Sequence, residues 1–161
     1  PYKLDIYVYD SFLTEEQINA LGAKKVDLET MFKECDIVSN HMANVPATVK
    51  MMKKEHIASM KEYATLINTG RGAQIDEEGM TEVLIERQDL TALLDVTTIE
   101  PLPEDSELYK LVNVFLTPHI AGSQGNEVKR MSDLIVDEVE RFLNGEKCLY
   151  EITPEKLKSM A

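Results

Sequence analysis

Four short apolar runs, each closed by a polar or charged residue, constrain this chain most: "DIVSNH" (36–41), "ATLINTG" (64–70), "LTALLDV" (90–96) and "NVFLTPH" (113–119). They are too short for buried helices and too continuously apolar for strands wetted on one side. Between them lie stretches that read as helices, "KKEHIASM" (53–60) and "DEEGMTEVLIER" (76–87), and a long one follows, "SQGNEVKRMSDLIVDEVERFLNG" (123–145). Near-continuous apolar strands alternating with helices predict an α/β fold, a doubly wound parallel sheet covered on both faces. Upstream, "KLDIYVYD" (3–10) reads as a strand ending on an acid and "AKKVD" (23–27) as a brief one. Between them "TEEQINALG" is a short helix with Thr14 as N-cap, Gln17 completing a capping box and Gly22 as terminator. "LETMFKEC" is a further helix, with Leu28, Met31 and Phe32 on one face. After Gly145 the tail reads as a connector and a short helix without chemistry of its own.

In such sheets ligands bind beyond the carboxyl ends of the strands. The residues found there are Asp10, His41, the turn Thr69-Gly70-Arg71, Asp95 and His119. A net charge of −12 argues against nucleic acid or an anionic membrane, both of which need basic patches. No segment has the length of a membrane span and nothing at the start reads as a signal peptide, so a cytoplasmic location is expected. Cys35 and Cys148 lie far apart without a CxxC neighbour, and Cys35 is expected to be a small buried hydrophobe. No spacing suggests a metal site, and a serine hydrolase elbow is missing.

Each candidate has two readings. Asp10 is either an exposed turn acid or the acceptor for an adenosine ribose, where it would favour NAD over NADP. Arg71, in "NTGRG", either pairs with Asp76 or Glu77 on the surface or holds a carboxylate through two parallel hydrogen bonds, its flanking glycines letting backbone approach a ligand. His119 is a structural histidine or a general acid, and Glu100 is a solvated loop acid or the carboxylate that steadies its protonated ring. His56, beside Glu55 in a polar helix, is expected to face solvent, while His41 lines the ligand side.

Taken together, "CDIVSNHMANVPATVKMM", "LINTGRGAQIDEEGM" and "ALLDVTTIEPLPEDSELYKLVNVFLTPHIAGS" resemble the NAD-binding domain of the D-isomer-specific 2-hydroxyacid dehydrogenases, over most of residues 1 to 145. The resemblance implies a Rossmann-like fold, NAD as cofactor and a small 2-keto or 2-hydroxy acid as substrate. It implies that Arg71 grips the substrate, that His119 exchanges a proton with its carbonyl oxygen and that Glu100 holds the imidazole. Asp95 would bind the nicotinamide carboxamide and Asp10 the ribose, with Met42, Ala43, Thr48, Thr69, Gly70 and Gly122 along the cofactor's path. A homodimer is implied for the whole enzyme. The glycine-rich phosphate turn, which belongs about 20 residues before Asp10, is not found in this sequence, nor is the strand before it. The expectation is therefore a partial domain over 1–145 with a gap in its sheet, and a tail over 146–161 returning toward an absent substrate domain. Such a fragment would bind NAD weakly or not at all and show no useful turnover alone. Asn40 and Ala43 depart from the apolar residue and proline frequent in the family, and Thr97 from an aromatic. The alternatives are an NAD-sensing dimerisation module resembling a corepressor, and an inactive remnant.

Overall fold

The computed structural model describes residues 3–157 and Met160. Along the chain run β1 (Tyr7–Val8), α1 (Glu15–Ala20), β2 (Lys24–Lys25), α2 (Leu28–Glu34), β3 (Ile37–Asn40), α3 (Lys54–Ala58), β4 (Thr65–Asn68), α4 (Glu77–Glu86), β5 (Thr91–Leu94), β6 (Val114–Leu116), α5 (Asn126–Leu143) and α6 (Pro154–Leu157). Local signals act where they were read. Thr14 Oγ1 accepts from the Gln17 N–H while Gln17 Oε1 accepts from the Thr14 N–H, which closes the capping box of α1. The 3-10 turns at Pro46–Thr48, Gly72–Gln74 and Glu107–Lys110 were not anticipated.

β3, β4, β5 and β6 form a parallel sheet in that order. Its register places Asn40, Asn68, Leu94 and Leu116 abreast at the carboxyl edge. β1 and β2 form a separate parallel pair, matching Tyr7 to Lys24 and Val8 to Lys25. The interruption expected between "KLDIYVYD" and the rest is therefore present, and only two residues of that run are paired.

One core holds the larger sheet. Val38, Leu66, Ala92 and Leu94 point to the same side, where Phe32 of α2, Ile57 of α3 and Met80, Val83 and Leu84 of α4 meet them, all essentially buried. The opposite face differs from expectation. Ile37, Leu93 and Phe115 are exposed there, and α5 buries none of its side chains among the described residues. The reason is topological. Right-handed crossovers along a sheet that advances in one direction, β3 to β4 to β5, deliver their helices to a single face. Continuous apolarity signalled strands made to be covered twice, but the described residues supply one cover.

Two smaller expectations also change. His56 is half-buried rather than solvent-facing: its ring stacks on Phe32 at 5.5 Å between centroids, and its Nδ1 accepts from the Lys53 N–H at 3.0 Å. Cys35 is only partly buried against the core, and desolvation pushes its thiol above the ordinary range. Among the described residues no helix is long and apolar enough to cross a membrane.

The end of α4 is tied down by polar contacts. The Asn113 side chain donates to the carbonyl of Leu84 in the last turn of α4 at 3.2 Å, taking up a helix-end acceptor, and to that of Leu90 just before β5 at 3.0 Å. Arg87 forks onto Asp89, with Nε to Oδ1 at 2.9 Å and Nη2 to Oδ2 at 2.6 Å, and also reaches the Ala58 carbonyl. That fork lowers the Asp89 carboxyl from 3.8 to about 2. A lowered carboxyl stabilises the fold fully above its unfolded value and ceases to do so as acid protonates it, here between about pH 4 and 2. Asp89→Asn should therefore flatten the acid fall in Tm across that window, as read by thermal melts at stepped pH.

Candidate active site

Three loops leave the aligned carboxyl edge. After β4 comes Gly70-Arg71-Gly72, whose glycines are required by close packing within the fold. A Cβ on Gly70 would lie 2.8 Å from Asn40 Nδ2 and 2.9 Å from Gln74 Oε1. One on Gly72 would lie 2.0 Å from the Thr97 carbonyl carbon, because the loop after β5 crosses directly over it. Arg71 itself is exposed, with Nη1 donating to the Gly70 carbonyl at 2.8 Å. It pairs with neither Asp76 nor Glu77. Asp76 faces Lys50 at 3.7 Å, and Glu77 accepts from the Thr98 N–H at 2.7 Å. Its guanidinium has no carboxylate partner among the described residues.

The loops after β5 and β6 meet each other. His119 Nδ1 and Glu100 Oε2 stand 2.8 Å apart, and the other Glu100 oxygen accepts from the Thr97 N–H at 3.2 Å. Nε2 makes no hydrogen bond to the described residues, and the ring is 45% exposed. The hydrogen bond from His119 outweighs burial and, with the Thr97 N–H and the charges of His119 and Arg71, holds the Glu100 carboxyl below the usual range. Arg71 is thus close enough to be felt at Glu100, although it lines a different cavity. His119 adopts φ +55, a left-handed conformation that is strained for a side-chain-bearing residue.

Asp95 holds that strain. It is 6% exposed. Its Oδ1 accepts from the Thr117 hydroxyl at 2.5 Å and the Ile120 N–H at 2.8 Å, and Oδ2 from the Ala121 N–H at 2.9 Å. Its backbone carbonyl takes the His119 N–H at 2.9 Å. Burial works against the charge, but the Thr117 hydroxyl and the two N–H groups prevail and leave the carboxyl below its usual range. The resemblance pointed to Asp95 as a ligand, and sequence reasoning did not find this clamp. Thr117, in "LTPH", was the visible signal.

A cleft of about 980 Å³ runs between the ends of β1 and β4, from Asp10 to Arg71. Met42, Ala43, Thr48, Thr69 and Gly70 line it, as does His41, whose ring lies between Ser39 Oγ at 2.8 Å and Thr69 Oγ1 at 3.3 Å. Thr48 spends its hydroxyl on its own loop, donating toward the carbonyls of Ala43 and Val45. Asp10 Oδ1 accepts from the N–H groups of Phe12 and Leu13 at 2.7 and 2.8 Å, and Oδ2 makes no bond to the described residues. A cleft at the upper end of the usual ligand range, with a spare carboxylate oxygen at one end and an unpaired guanidinium at the other, fits a dinucleotide. Asp95, Glu100 and His119 line a second cavity of about 550 Å³, and Gly122 lies beyond His119 on a third. Among the described residues no group of three His, Cys, Asp or Glu could hold a metal ion.

Residues 1–121 match the D-isomer specific 2-hydroxyacid dehydrogenase, NAD binding domain. The chain belongs to this family. Among its relatives, a glyoxylate reductase of Korarchaeum cryptofilum is 35% identical over 145 residues, covering 90% of this chain and 44% of that protein. The D-lactate dehydrogenase of Lactobacillus jensenii, solved with NAD+, superposes with a TM-score of 0.79 at 26% identity, covering 92% of this chain and 48% of that one. A D-isomer specific 2-hydroxyacid dehydrogenase of Xanthobacter autotrophicus, solved with NADPH and MES, gives 0.71 at 29% identity, covering 84% and 44%. This chain thus spans less than half the length of these relatives.

The glycines offer a direct check. Gly72→Ala should lower stability by about 3 kcal/mol, since backbone on both sides must move. Gly122→Ala, which meets nothing within 4 Å, should stay within about 0.5 kcal/mol of the unaltered protein in urea denaturation.

Proposed function

We propose that the protein is an oxidoreductase that moves a hydride between NAD(H) and a small D-2-hydroxy acid or 2-keto acid, with this chain carrying its cofactor-binding and proton-transfer residues. The observation that carries the reading is the 2.8 Å contact of His119 Nδ1 with Glu100, which leaves Nε2 unbonded at the mouth of the cavity. The bound nicotinamide supplies the hydride in one direction and accepts it in the other. Arg71 holds the substrate carboxylate through its fork, which fits its lack of any carboxylate partner among the described residues. His119 gives its Nε2 proton to the carbonyl oxygen during reduction and takes the hydroxyl proton back during oxidation. Glu100 fixes the ring and steadies its charged form.

Asp95 has two tasks in this reading. Three of its roughly four lone-pair sites hold the His119 loop, and the last is available to a carboxamide N–H. The free oxygen of Asp10 receives the ribose hydroxyls and repels a 2′-phosphate, so NAD is preferred over NADP. Met42, Ala43, Thr48, Thr69 and Gly70 form the wall along the cofactor, with Gly122 beyond the histidine. Pairing of two copies belongs to the same reading and is supported by the exposed apolar stripe of α5.

NADH oxidation by the intact protein against pyruvate, 2-ketoisocaproate, hydroxypyruvate and glyoxylate tests the proposal. His119→Ala should lower kcat/KM by about 10²–10⁴-fold without weakening NADH binding. If NADH binds but none of these acids is reduced, the enzyme reading falls and a nucleotide-sensing module takes its place. Asp10→Asn keeps the oxygen that caps the turn and removes the charge. It should shift the NADPH-to-NADH efficiency ratio upward by roughly five- to tenfold.

A further inference from the structure

Three primary amides are buried together under the Arg71 turn. Asn40, Asn68 and Gln74 are 3%, 1% and 0% exposed. Asn40 and Asn68 are register partners at the ends of β3 and β4, and Gln74 closes the 3-10 turn after Arg71. Asn40 Nδ2 donates to Asn68 Oδ1 at 2.9 Å and to Gln74 Oε1 at 2.6 Å.

The remaining capacity of the trio goes to two backbone segments. On one side Asn68 Oδ1 accepts from the Gly70 N–H at 3.1 Å, Gln74 Oε1 accepts from the Arg71 N–H at 3.2 Å, and Asn68 Nδ2 donates to the Arg71 carbonyl at 3.2 Å. On the other side Gln74 Nε2 donates to the carbonyls of Met42 and Ala43 at 2.8 and 2.9 Å, and Asn40 Oδ1 accepts from the Met42 N–H at 3.1 Å. Every side-chain polar atom of the trio is bonded, and the bonds run to both walls of the cleft. A buried polar network of this kind specifies one geometry when complete and is strongly disfavoured when broken.

We propose that the Asn40–Asn68–Gln74 cluster is a positioning device that sets the anion-holding Arg71 and the Met42–Ala43 cofactor wall as one rigid unit, with Gln74 as its hinge pin. The inference rests on the function proposed above. Arg71 is exposed and, among the described residues, its side chain is held only by the preceding carbonyl, so its aim comes from its backbone, and its backbone is held by these amides. The same cluster explains why position 70 is glycine, since a Cβ would strike two of the amides. Substrate and cofactor sites then share a support, and loosening it weakens both.

The test uses the intact protein, with NADH binding read by fluorescence and binding of oxamate, a stable 2-keto acid mimic, to the NADH-saturated protein read by calorimetry. Gln74→Leu, close in size but without amide atoms, should weaken oxamate roughly tenfold and NADH roughly threefold, as expected for a misplaced binding group. Asn40→Leu restores the apolar residue frequent in the family and carries the test if Gln74→Leu fails to fold. Asn113→Ala, remote at the end of α4, serves as a control: it should lower Tm and leave both affinities unchanged. Oxamate affinity in the amide variants within about twofold of the unaltered protein overturns the positioning role, and so does an equal loss in Asn113→Ala. Failure of the unaltered protein to bind oxamate with NADH present, together with no effect of Arg71→Ala, instead removes the function on which the inference rests.

Discussion

The in-register ending of four parallel strands is the constraint from which the site follows. Backbone hydrogen bonding sets Asn40 beside Asn68, Asn68 beside Leu94 and Leu94 beside Leu116. The next residues of each strand therefore emerge along one line, and side chains far apart in sequence become neighbours without any contact of their own. His41, Thr69 to Arg71, Asp95 and Thr117 to His119 all stand within three residues of that line. Helices pack on one face of the ladder. The core they form stops at the edge where chemistry begins.

Charge is handled differently on the two sides of that edge. Asp95 is buried and ionised because a hydroxyl and two N–H groups converge on it. Glu100 is more exposed and is held by one imidazole, one N–H and the distant pull of Arg71. The first arrangement ties down a loop, and the second leaves the His119 ring exposed on the wall of the cavity. Arg71 completes the pattern as a charge with no carboxylate partner among the described residues, in a fold whose other close pairs are mostly exposed and local.

Much of this was legible in residue order. Apolar runs ending in polar residues marked the strands, Thr14 and Gln17 marked the start of α1, and strand ends marked where to look for Arg71, Glu100 and His119. What could not be read were contacts made across long separations. Nothing around Gly72 announces that Thr97 and Thr98 cross over it, so its packing role is visible only in the fold. Asp95 looked free because its partners lie 22 to 26 residues downstream. The amide trio was hidden in part: Asn40 and Asn68 close two apolar strands at matching positions, a repeated oddity that hinted at burial, but Gln74 carried no such sign. The exposed face of the sheet could not be read from sequence, because apolarity reports what a strand is made to meet, not which segment meets it.

The clamp on Asp95 makes the segment from Thr117 to Ala121 a fixed span. Its hydroxyl at one end and its N–H groups at the other must land on the two oxygens of one buried carboxylate, with the left-handed histidine between them. A residue added or removed in that span would offer the carboxylate the wrong partners and turn the imidazole away from Glu100. Loops elsewhere on the surface can lengthen at little expense, since closure entropy grows slowly with length. Here length itself is what the geometry demands, and Ile120 and Ala121 enter the clamp through their backbone N–H groups rather than their side chains.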